Sequence, residues 1–318
     1  MRRRKRPRTD DTSIALDALR AAVAWPALAA KRLDYAAALR RVPRGRVATC
    51  RDLAALAGGH GTMGETIACA RAVRGSPLAH RVVKAGAAVG GAAARALAAE
   101  GADPAAPARV SLDACRAERV VEPGGGGPTL VYVHGRGGLP STYAGRRAGW
   151  WARGRLAALG RVVLPGAPAH AKDRTAWLDY EADGWTPTAA SLDAASARVA
   201  AVIRREAGDG RTVYVAAYSE GVAVALDAAL RSPARVAGFV GVNGTAPPPV
   251  ASRGGAAFPV VLLSGADDAT MPRSRVAADA AALGPRVALV SVGGAAHGLG
   301  DDEGRLLDYG LRRVWADA

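Results

Sequence analysis

Residues 213–221 read VYVAAYSEG, an apolar run that ends in a serine flanked by small or turn-forming residues. The β-branched and aromatic residues of Thr212–Ala217 predict a buried strand, and the apolar stretch Glu220–Arg231 predicts a helix. Ser219 falls on the turn between them. A serine on such a strand–turn–helix is strained and exposed, and small neighbours let the backbone pass closely. The stretch predicts a nucleophilic serine, although Ala217 stands where the pattern prefers glycine.

Similar apolar runs alternate with helical segments through the second half of the chain. Further strands are predicted at Thr129–His134, Arg161–Pro165, Val236–Val242, Phe258–Leu263 and Arg286–Val292. Further helices are predicted at about Ala189–Glu206 and Asp301–Trp315. Strands that alternate with helices predict an α/β fold with a parallel sheet and helices on both faces. In such sheets ligands bind at the carboxyl ends of the strands.

Two other predicted strands end in reactive residue types. The loop GADDATMP after Phe258–Leu263 contains Asp268, and the loop GGAAHG after Arg286–Val292 contains His297. A histidine can accept the proton of a serine, and a carboxylate can orient the imidazole. The chain order Ser219, Asp268, His297 is the order of a hydrolase triad on this type of sheet. Asp267 is a competing candidate for the carboxylate.

The segment His134-Gly135-Arg136-Gly137-Gly138 follows the first strand of this half. Its glycines allow backbone N–H groups to turn inward, so the N–H groups of Arg136 and Glu220 are predicted to form an oxyanion hole. His134 is a second candidate base. We expect it to shape the turn instead, since His297 fits the base position better.

Residues 129–318 resemble the carboxylesterase and acyl-protein thioesterase branch of the α/β-hydrolases. The matching stretches are VYVHGRGG, TAWLDYEADG, VYVAAYSEGVAVALDAAL, VLLSGADDATMP and GGAAHGLGDDEG. The resemblance implies metal-independent, cofactor-free hydrolysis of carboxylic esters or thioesters through an acyl-serine, with small acyl compounds or acylated proteins as substrates. It maps the nucleophile to Ser219, the acid to Asp268 and the base to His297. Glu220 stands where relatives often carry glutamine, and its charge opposes an oxyanion unless the side chain points outward.

The chain has 318 residues, a mass of 32.3 kDa and a net charge of +15. No apolar stretch reaches the roughly 18 residues that a membrane span needs. Residues 1–122 carry a net charge of +11, and residues 123–318 carry +4. This asymmetry favours a polyanionic partner, nucleic acid before a membrane surface. The alternative is an arginine-rich surface without a partner.

The organisation is predicted to comprise four segments. Residues 1–30 form a basic, partly disordered segment whose start, MRRRKRPRTDDT, is a candidate nuclear address or phosphate-binding arm. A secretory signal is a rival interpretation, but acidic residues and Pro26 interrupt the apolar stretch. Residues 31–118 form a mainly helical domain, residues 119–128 a glycine-rich linker, and residues 129–318 the α/β domain. The expected location is inside the cell, in the nucleus or cytoplasm.

The segment 31–118 predicts a short helix, a turn, a second helix at Gly64–Val73 and then an extended wing, HRVV, at His80–Val83, a DNA-reading layout. The candidate phosphate contacts are Arg71, Arg74, Arg81 and Lys84. Residues 31–105 resemble the DNA-binding domain of the O6-alkylguanine-DNA alkyltransferases and of alkyltransferase-like proteins. The alkyltransferase motif Pro-Cys-His-Arg reads Leu78-Ala79-His80-Arg81 here. Ala79 therefore replaces the alkyl-acceptor cysteine, which rules out alkyl transfer at this position.

Two further departures concern base flipping. Ile67 falls where the family keeps an arginine, and Cys50 falls where a tyrosine is usual. The residues therefore leave two interpretations. In one, the domain binds DNA but lacks the residues that usually support base flipping. In the other, it serves only as a packing module.

Two hypotheses remain open at the level of sequence. In the first, a serine hydrolase is fused to a small winged-helix-like DNA-binding domain. In the second, the chain is a non-catalytic DNA-damage-binding protein, and the hydrolase fold is a scaffold.

Overall fold

A computed structural model describes ten stretches of the chain. They are residues 12–22, 33–44, 46–57, 63–82, 91–100, 108–109, 117–145, 147–168, 176–253 and 255–315. The chain divides into two compact units. Unit 1 comprises residues 1–27, 118–136 and 149–318, and unit 2 comprises residues 28–117 and 137–148.

The regular elements are numbered in chain order. The strands are β1 (Thr12–Ala15), β2 (Arg46–Val47), β3 (Ala108–Arg109), β4 (Arg119–Val121), β5 (Thr129–Val133), β6 (Arg161–Leu164), β7 (Val213–Tyr218), β8 (Gly238–Val242), β9 (Val260–Gly265) and β10 (Val287–Gly293). The helices are α1 (Leu16–Ala22), α2 (Tyr35–Arg40), α3 (Cys50–Leu56), α4 (Met63–Val73), α5 (Gly91–Ala99), α6 (Pro140–Ala144), α7 (Ala189–Gly208), α8 (Glu220–Leu230), α9 (Pro248–Ala251), α10 (Arg273–Leu283) and α11 (Asp302–Val314).

Unit 1 is built on an eight-stranded sheet with the order β1-β10-β9-β8-β7-β5-β6-β4. Neighbouring strands are parallel except β4, which runs antiparallel to β6. The central strands are apolar on both faces because helices cover both sides. The predicted α/β class with a parallel sheet is confirmed.

Successive side chains of a strand point to opposite faces of the sheet, so they pack against different layers of helices. Val131 on β5 and Val215 on β7 belong to a core cluster that also contains residues of α7, α8 and α10. The next residue of β5, Tyr132, donates a hydrogen bond to the buried carboxylate of Glu303 on α11. The sheet therefore lies between two helical layers, and its carboxyl edge stays available to loops.

Part of the N-terminal segment takes regular structure that no sequence pattern indicated. Strand β1 pairs in parallel with β10, with Ser13 opposite Ser291 and Ile14 opposite Val292. Helix α1 follows, and Arg20 donates to Asp302 at 3.2 and 2.6 Å. Residues 12–22 are therefore an integral part of unit 1, because they complete the edge of its sheet. The basic arm at residues 1–11 lies outside the described residues.

The glycine-rich stretch is also more structured than a linker. Its first three residues form β4, in which Val120 pairs with Val163. The N–H of Gly125 donates to the Leu159 carbonyl at 3.1 Å, and a Cβ on Gly125 would come within 2.4 Å of the Ala157 oxygen. Glycine is needed here because the chain runs tightly along its neighbour.

Unit 2 has a small helical core. Helices α2, α3 and α4 bury Leu39, Leu53 and Cys69. Thr49 begins α3 with a reciprocal cap, in which the Asp52 N–H donates to Thr49 at 3.1 Å and the Thr49 N–H donates to Asp52 at 2.9 Å. The predicted succession of a short helix and a helix ending at Val73 matches α3 and α4.

Two details of unit 2 differ from the sequence-based layout. The predicted extended wing is turned at its first two residues, since Ala79–Arg81 form a 3₁₀ helix whose first N–H donates to the Ser76 carbonyl at 2.9 Å. Val82 is extended and forms a β-bridge with Ala48, and Val83 lies outside the described residues. Residues 137–148, predicted to be in the α/β domain, group with unit 2, where Leu139 clusters with Ala55. Among the described residues, no helix has both the length and the apolar character needed to cross a membrane.

Candidate functional site

Ser219 lies on a strained turn between β7 and α8. Its φ of 53° and ψ of −126° are unusual for a residue with a side chain, and its N–H donates to the Val242 carbonyl at 2.9 Å. Small residues make this turn possible. A Cβ on Gly221 would lie 2.5 Å from the His134 oxygen, and one on Gly135 would lie 2.9 Å from the Ser219 Cβ. The methyl group of Ala217 is accommodated in the core.

Three side chains from separate loops form a continuous hydrogen-bonded chain. Ser219 Oγ lies 2.9 Å from His297 Nε2, and His297 Nδ1 lies 2.8 Å from Asp268 Oδ2. With the carboxylate as acceptor, the imidazole carries its proton on Nδ1 and presents Nε2 to the serine. The structure thus brings together the three residues singled out in the sequence. The adjacent Asp267 is exposed, whereas Asp268 is buried.

The carboxylate of Asp268 is held by its own loop. Its second oxygen, Oδ1, accepts the N–H groups of Thr270 at 2.9 Å and Met271 at 2.8 Å. These bonds leave Oδ2 directed at His297. The arrangement provides a fixed acceptor for an imidazolium.

Two residues that sequence reasoning missed support the His297 loop. Asn243, at the end of β8, donates to the carbonyls of Ala296 at 3.0 Å and His297 at 3.4 Å, and it accepts the Gly265 N–H at 2.8 Å. The hydroxyl of Tyr218 donates to the His297 carbonyl. The Asn-Gly dipeptide at 243–244, directly after a predicted strand, was a usable turn signal, since asparagine tolerates the observed φ of 46°.

The side chain of Glu220 turns toward Arg136. Its Oε1 lies 3.1 Å from Arg136 Nε and 3.0 Å from Arg136 Nη2, and its Oε2 accepts the Trp177 N–H at 2.7 Å. Burial raises the pKa of this carboxyl group, while the Trp177 N–H and Arg136 oppose the rise. Glu220 is therefore a buried acid with a specific cationic partner, immediately after the serine.

His134 is enclosed beneath the same loop. Its Nδ1 lies 2.9 Å from the Gly135 oxygen, and its carbonyl accepts the Trp177 indole N–H at 2.8 Å. Burial lowers the pKa of His134 to about 4, so the ring is neutral near pH 7. These contacts agree with a role in shaping the turn.

The candidate DNA contacts of unit 2 are in different environments. Arg71 and Arg74 are exposed on and just after α4. Arg81 is buried and donates to Glu100 at 2.6 Å and to the Val42 carbonyl at 2.9 Å. Because these contacts occupy its guanidinium, Arg81 stabilises the fold of unit 2 and does not face a phosphate. Ala79 lies in the 3₁₀ helix, and Lys84 lies outside the described residues.

Within the part of the chain that the structure describes, no three or more His, Cys, Asp or Glu side chains are grouped so as to hold a metal ion. The chemistry visible at the carboxyl edge of the sheet is that of a hydroxyl, an imidazole and a carboxylate in series.

Comparisons with known proteins bear on the fold. No protein-family model and no curated protein matches the sequence. Among solved structures, acyl-protein thioesterase 2 from Zea mays is 22% identical with a TM-score of 0.50, covering 62% of this chain and 98% of that one. Esterase PE8 is 20% identical with a TM-score of 0.52 and the same two coverages. SOBER1 from Arabidopsis thaliana is 18% identical with a TM-score of 0.50, covering 59% of this chain and 99% of that one. Together with the strand order described above, these similarities identify the fold as that of the α/β-hydrolases.

Proposed function

We propose that the protein is a serine hydrolase that cleaves carboxylic esters or thioesters through an acyl-serine intermediate. The observation that carries the proposal is the hydrogen-bonded chain from Ser219 through His297 to Asp268. The fold alone would not suffice, because one fold supports many functions. A strained serine at the start of a helix, joined to an oriented imidazole, is the arrangement that nucleophilic acyl transfer requires.

The chemistry divides into two steps. In the first, His297 Nε2 takes the Ser219 proton as Oγ attacks the acyl carbon, and the resulting imidazolium returns the proton to the departing alcohol or thiol. In the second, His297 activates a water molecule that attacks the acyl-serine, and Ser219 Oγ leaves with the proton. Asp268 stabilises the imidazolium in both steps.

In each tetrahedral intermediate the former carbonyl oxygen carries a negative charge, which hydrogen-bond donors must stabilise. The Glu220 N–H is one of the first N–H groups of α8, which have no partner inside the helix and carry its positive dipole end. The ion pair between Arg136 and Glu220 holds the second predicted donor residue beside the first. The main-chain N–H groups of Arg136 and Glu220 are therefore the oxyanion donors in this proposal.

A matched set of variants tests the proposal. Ser219→Ala should lower kcat for short p-nitrophenyl esters by about a millionfold, and Asp268→Asn by about 10⁴-fold. Asp267→Asn changes a neighbouring, exposed carboxylate and should retain the wild-type rate. A fluorophosphonate probe should label the wild type and not Ser219→Ala. Hydrolysis that survives in Ser219→Ala would overturn the proposal.

The substrate class follows from a direct comparison of esters and thioesters. Acyl esters and acyl thioesters of equal chain length should both be turned over, with Ser219 required for each. An acylated peptide offered beside a small acyl ester would separate a protein substrate from a small-molecule substrate, by the ratio of their kcat/KM values.

DNA binding by unit 2 is a second, separate part of the proposal. It is favoured by the exposed side chains of Arg71 and Arg74 and by the net charge of +11 over residues 1–122, which comprise residues 28–117 of unit 2 and the N-terminal part of unit 1. The non-catalytic alternative would keep this binding and lose the hydrolysis. The fluorophosphonate experiment therefore distinguishes the two hypotheses.

A further inference from the structure

A buried carboxylate next to a nucleophilic serine is an electrostatic problem for the proposed reaction. Glu220 directly follows Ser219, and its side chain is only 3% exposed. Its own N–H is one of the proposed oxyanion donors. In a poorly solvated site, an uncompensated carboxylate this close would disfavour the negative charge of a tetrahedral intermediate.

Among the described residues, the guanidinium of Arg136 is the cation that pairs with this carboxylate. Arg136 places both Nε and Nη2 within 3.1 Å of Glu220 Oε1. Its Nη2 also donates to the Leu178 carbonyl at 3.3 Å, and its guanidinium lies over the Tyr180 ring at 5.4 Å from the centroid. These contacts hold the arginine side chain in one place although it is 48% exposed.

We propose that the side chain of Arg136 neutralises Glu220, so that an oxyanion can form beside a buried carboxylate. This inference rests on the proposed hydrolase function and concerns a positioning residue, since the guanidinium acts through Glu220 and does not touch the reacting atoms. The ion pair also links the two chain segments that supply the proposed donors. A net-neutral pair exerts a weak field on the intermediate, whereas an ionised Glu220 without Arg136 exerts the field of a full negative charge.

The test compares three variants. Arg136→Met leaves Glu220 uncompensated, Glu220→Gln removes the carboxylate while keeping an acceptor for the Trp177 N–H, and the double variant removes both charges. Arg136→Met should lower kcat by on the order of tenfold or more, because the barrier includes the oxyanion. Its KM should change little, because the substrate carbonyl is uncharged in the ground state.

The double variant gives the decisive readout. Arg136→Met/Glu220→Gln should recover most of the kcat lost in Arg136→Met and approach that of Glu220→Gln alone. Arg136→Lys, which keeps the positive charge, should lie closer to the wild type than Arg136→Met. A purely structural role predicts the opposite order for the double variant, since two lost side chains would disturb the site more than one.

A matched control separates local electrostatics from stability. Arg312 is 52% exposed and pairs at 2.9 Å with Asp308, which is fully buried and also accepts the Leu156 N–H at 3.4 Å. Arg312→Met therefore removes a similar cation from a similar carboxylate on α11. It should lower the Tm about as much as Arg136→Met while leaving kcat near the wild-type value.

The outcomes are distinguishable. Wild-type protein without Ser219-dependent hydrolysis would overturn both this inference and the proposed function. An active wild type whose double variant is as slow as Arg136→Met, or slower, would overturn the inference alone. Wild-type kcat in Arg136→Met would do the same. Recovery in the double variant, with Arg312→Met unaffected, would support it.

Discussion

Asn243 combines backbone strain with hydrogen bonds that hold the His297 loop. Its amide bridges the ends of β8 and β9 and the carbonyls of residues 296 and 297, and its φ is 46°. We expect Asn243→Ala to lose these bonds and to strain the backbone, at a cost of about 1–3 kcal/mol in the free energy of unfolding. We also expect kcat to fall by about tenfold with a small change in KM, because His297 would be less well placed. Thermal unfolding and ester kinetics measure both effects.

Asn243→Gly separates the two contributions. Glycine adopts the positive φ without strain and removes the same side-chain bonds. It should match Asn243→Ala in the loss of kcat and be more stable than that variant. Equal stabilities would show that the φ of 46° stores no measurable strain.

Asp279 on α10 predicts a pH dependence of stability. Its buried carboxylate accepts the Ala246 N–H at 3.0 Å, and burial raises its pKa to about 6. A folded-state pKa above the unfolded value of about 4 means that the folded protein binds the proton more tightly, so stability is lost as the pH rises from about 4 to about 6. Asp279→Asn keeps a possible acceptor and has no charge to bury.

Chemical denaturation at several pH values measures this difference. The variant and the wild type should differ least near pH 4, and above pH 6 the variant should be more stable by up to about 3 kcal/mol. Stability curves that stay parallel from pH 4 to pH 8 would contradict the assignment to Asp279.

Among the secondary-structure elements, strand β1 covers one edge of the main sheet. It covers the edge of β10, the strand that leads into the His297 loop, and the pairing of Arg20 with Asp302 fastens α1 to α11. An uncovered edge strand exposes unpaired backbone groups and promotes association between chains. The segment is therefore expected to protect unit 1 as well as to stabilise it.

Deletion of residues 2–15 tests this role. We expect a lower Tm and more aggregation on heating, since β10 becomes an edge. The comparison is a chain that lacks residues 2–11 and keeps β1. Light scattering during a thermal ramp measures the difference, and identical behaviour of the two shortened chains would contradict the role assigned to β1.

On the scale of the whole molecule, the distribution of charge makes the DNA prediction testable. Arg71 and Arg74 are exposed, while Arg81 is held by Glu100. If the exposed arginines bind phosphates, the apparent Kd for duplex DNA should rise steeply between 50 and 200 mM salt. Arg71→Ala and Arg74→Ala should each reduce the slope of log Kd against log salt concentration by about one. Arg81→Ala should lower the stability of unit 2 and should not remove a direct phosphate contact.

A gel-shift titration at two salt concentrations measures this binding. Ser219→Ala should bind DNA as the wild type does, because the serine belongs to the proposed hydrolase site. Absence of a shift at low salt, or a shift that salt does not change, would contradict phosphate contacts by unit 2.

Sequence patterns predicted the parallel sheet because its strands are short apolar runs with regular spacing. The helix predicted at Glu220–Arg231 is α8, Glu220–Leu230, and the strand predicted at Arg286–Val292 is β10, Val287–Gly293. Strand β1 was missed because four residues, TSIA, carry too weak a periodic signal beside a highly charged start. The burial of Arg81 was missed because its partner, Glu100, lies 19 residues away.

Local sequence patterns are enough to predict which residue types follow the strands: a serine on a tight turn, a carboxylate in one loop and a histidine in another. Those signals are local because strand, turn and helix preferences depend on neighbouring residues. The family resemblance maps the acid to Asp268, and the packed loops place Asp268 rather than Asp267 against His297. The same packing makes Asn243 support the histidine loop and turns Glu220 toward Arg136, and no local pattern predicts either contact. These contacts join residues that are far apart in the chain. The packing of the sheet and helices sets the distances between them, and local sequence patterns do not.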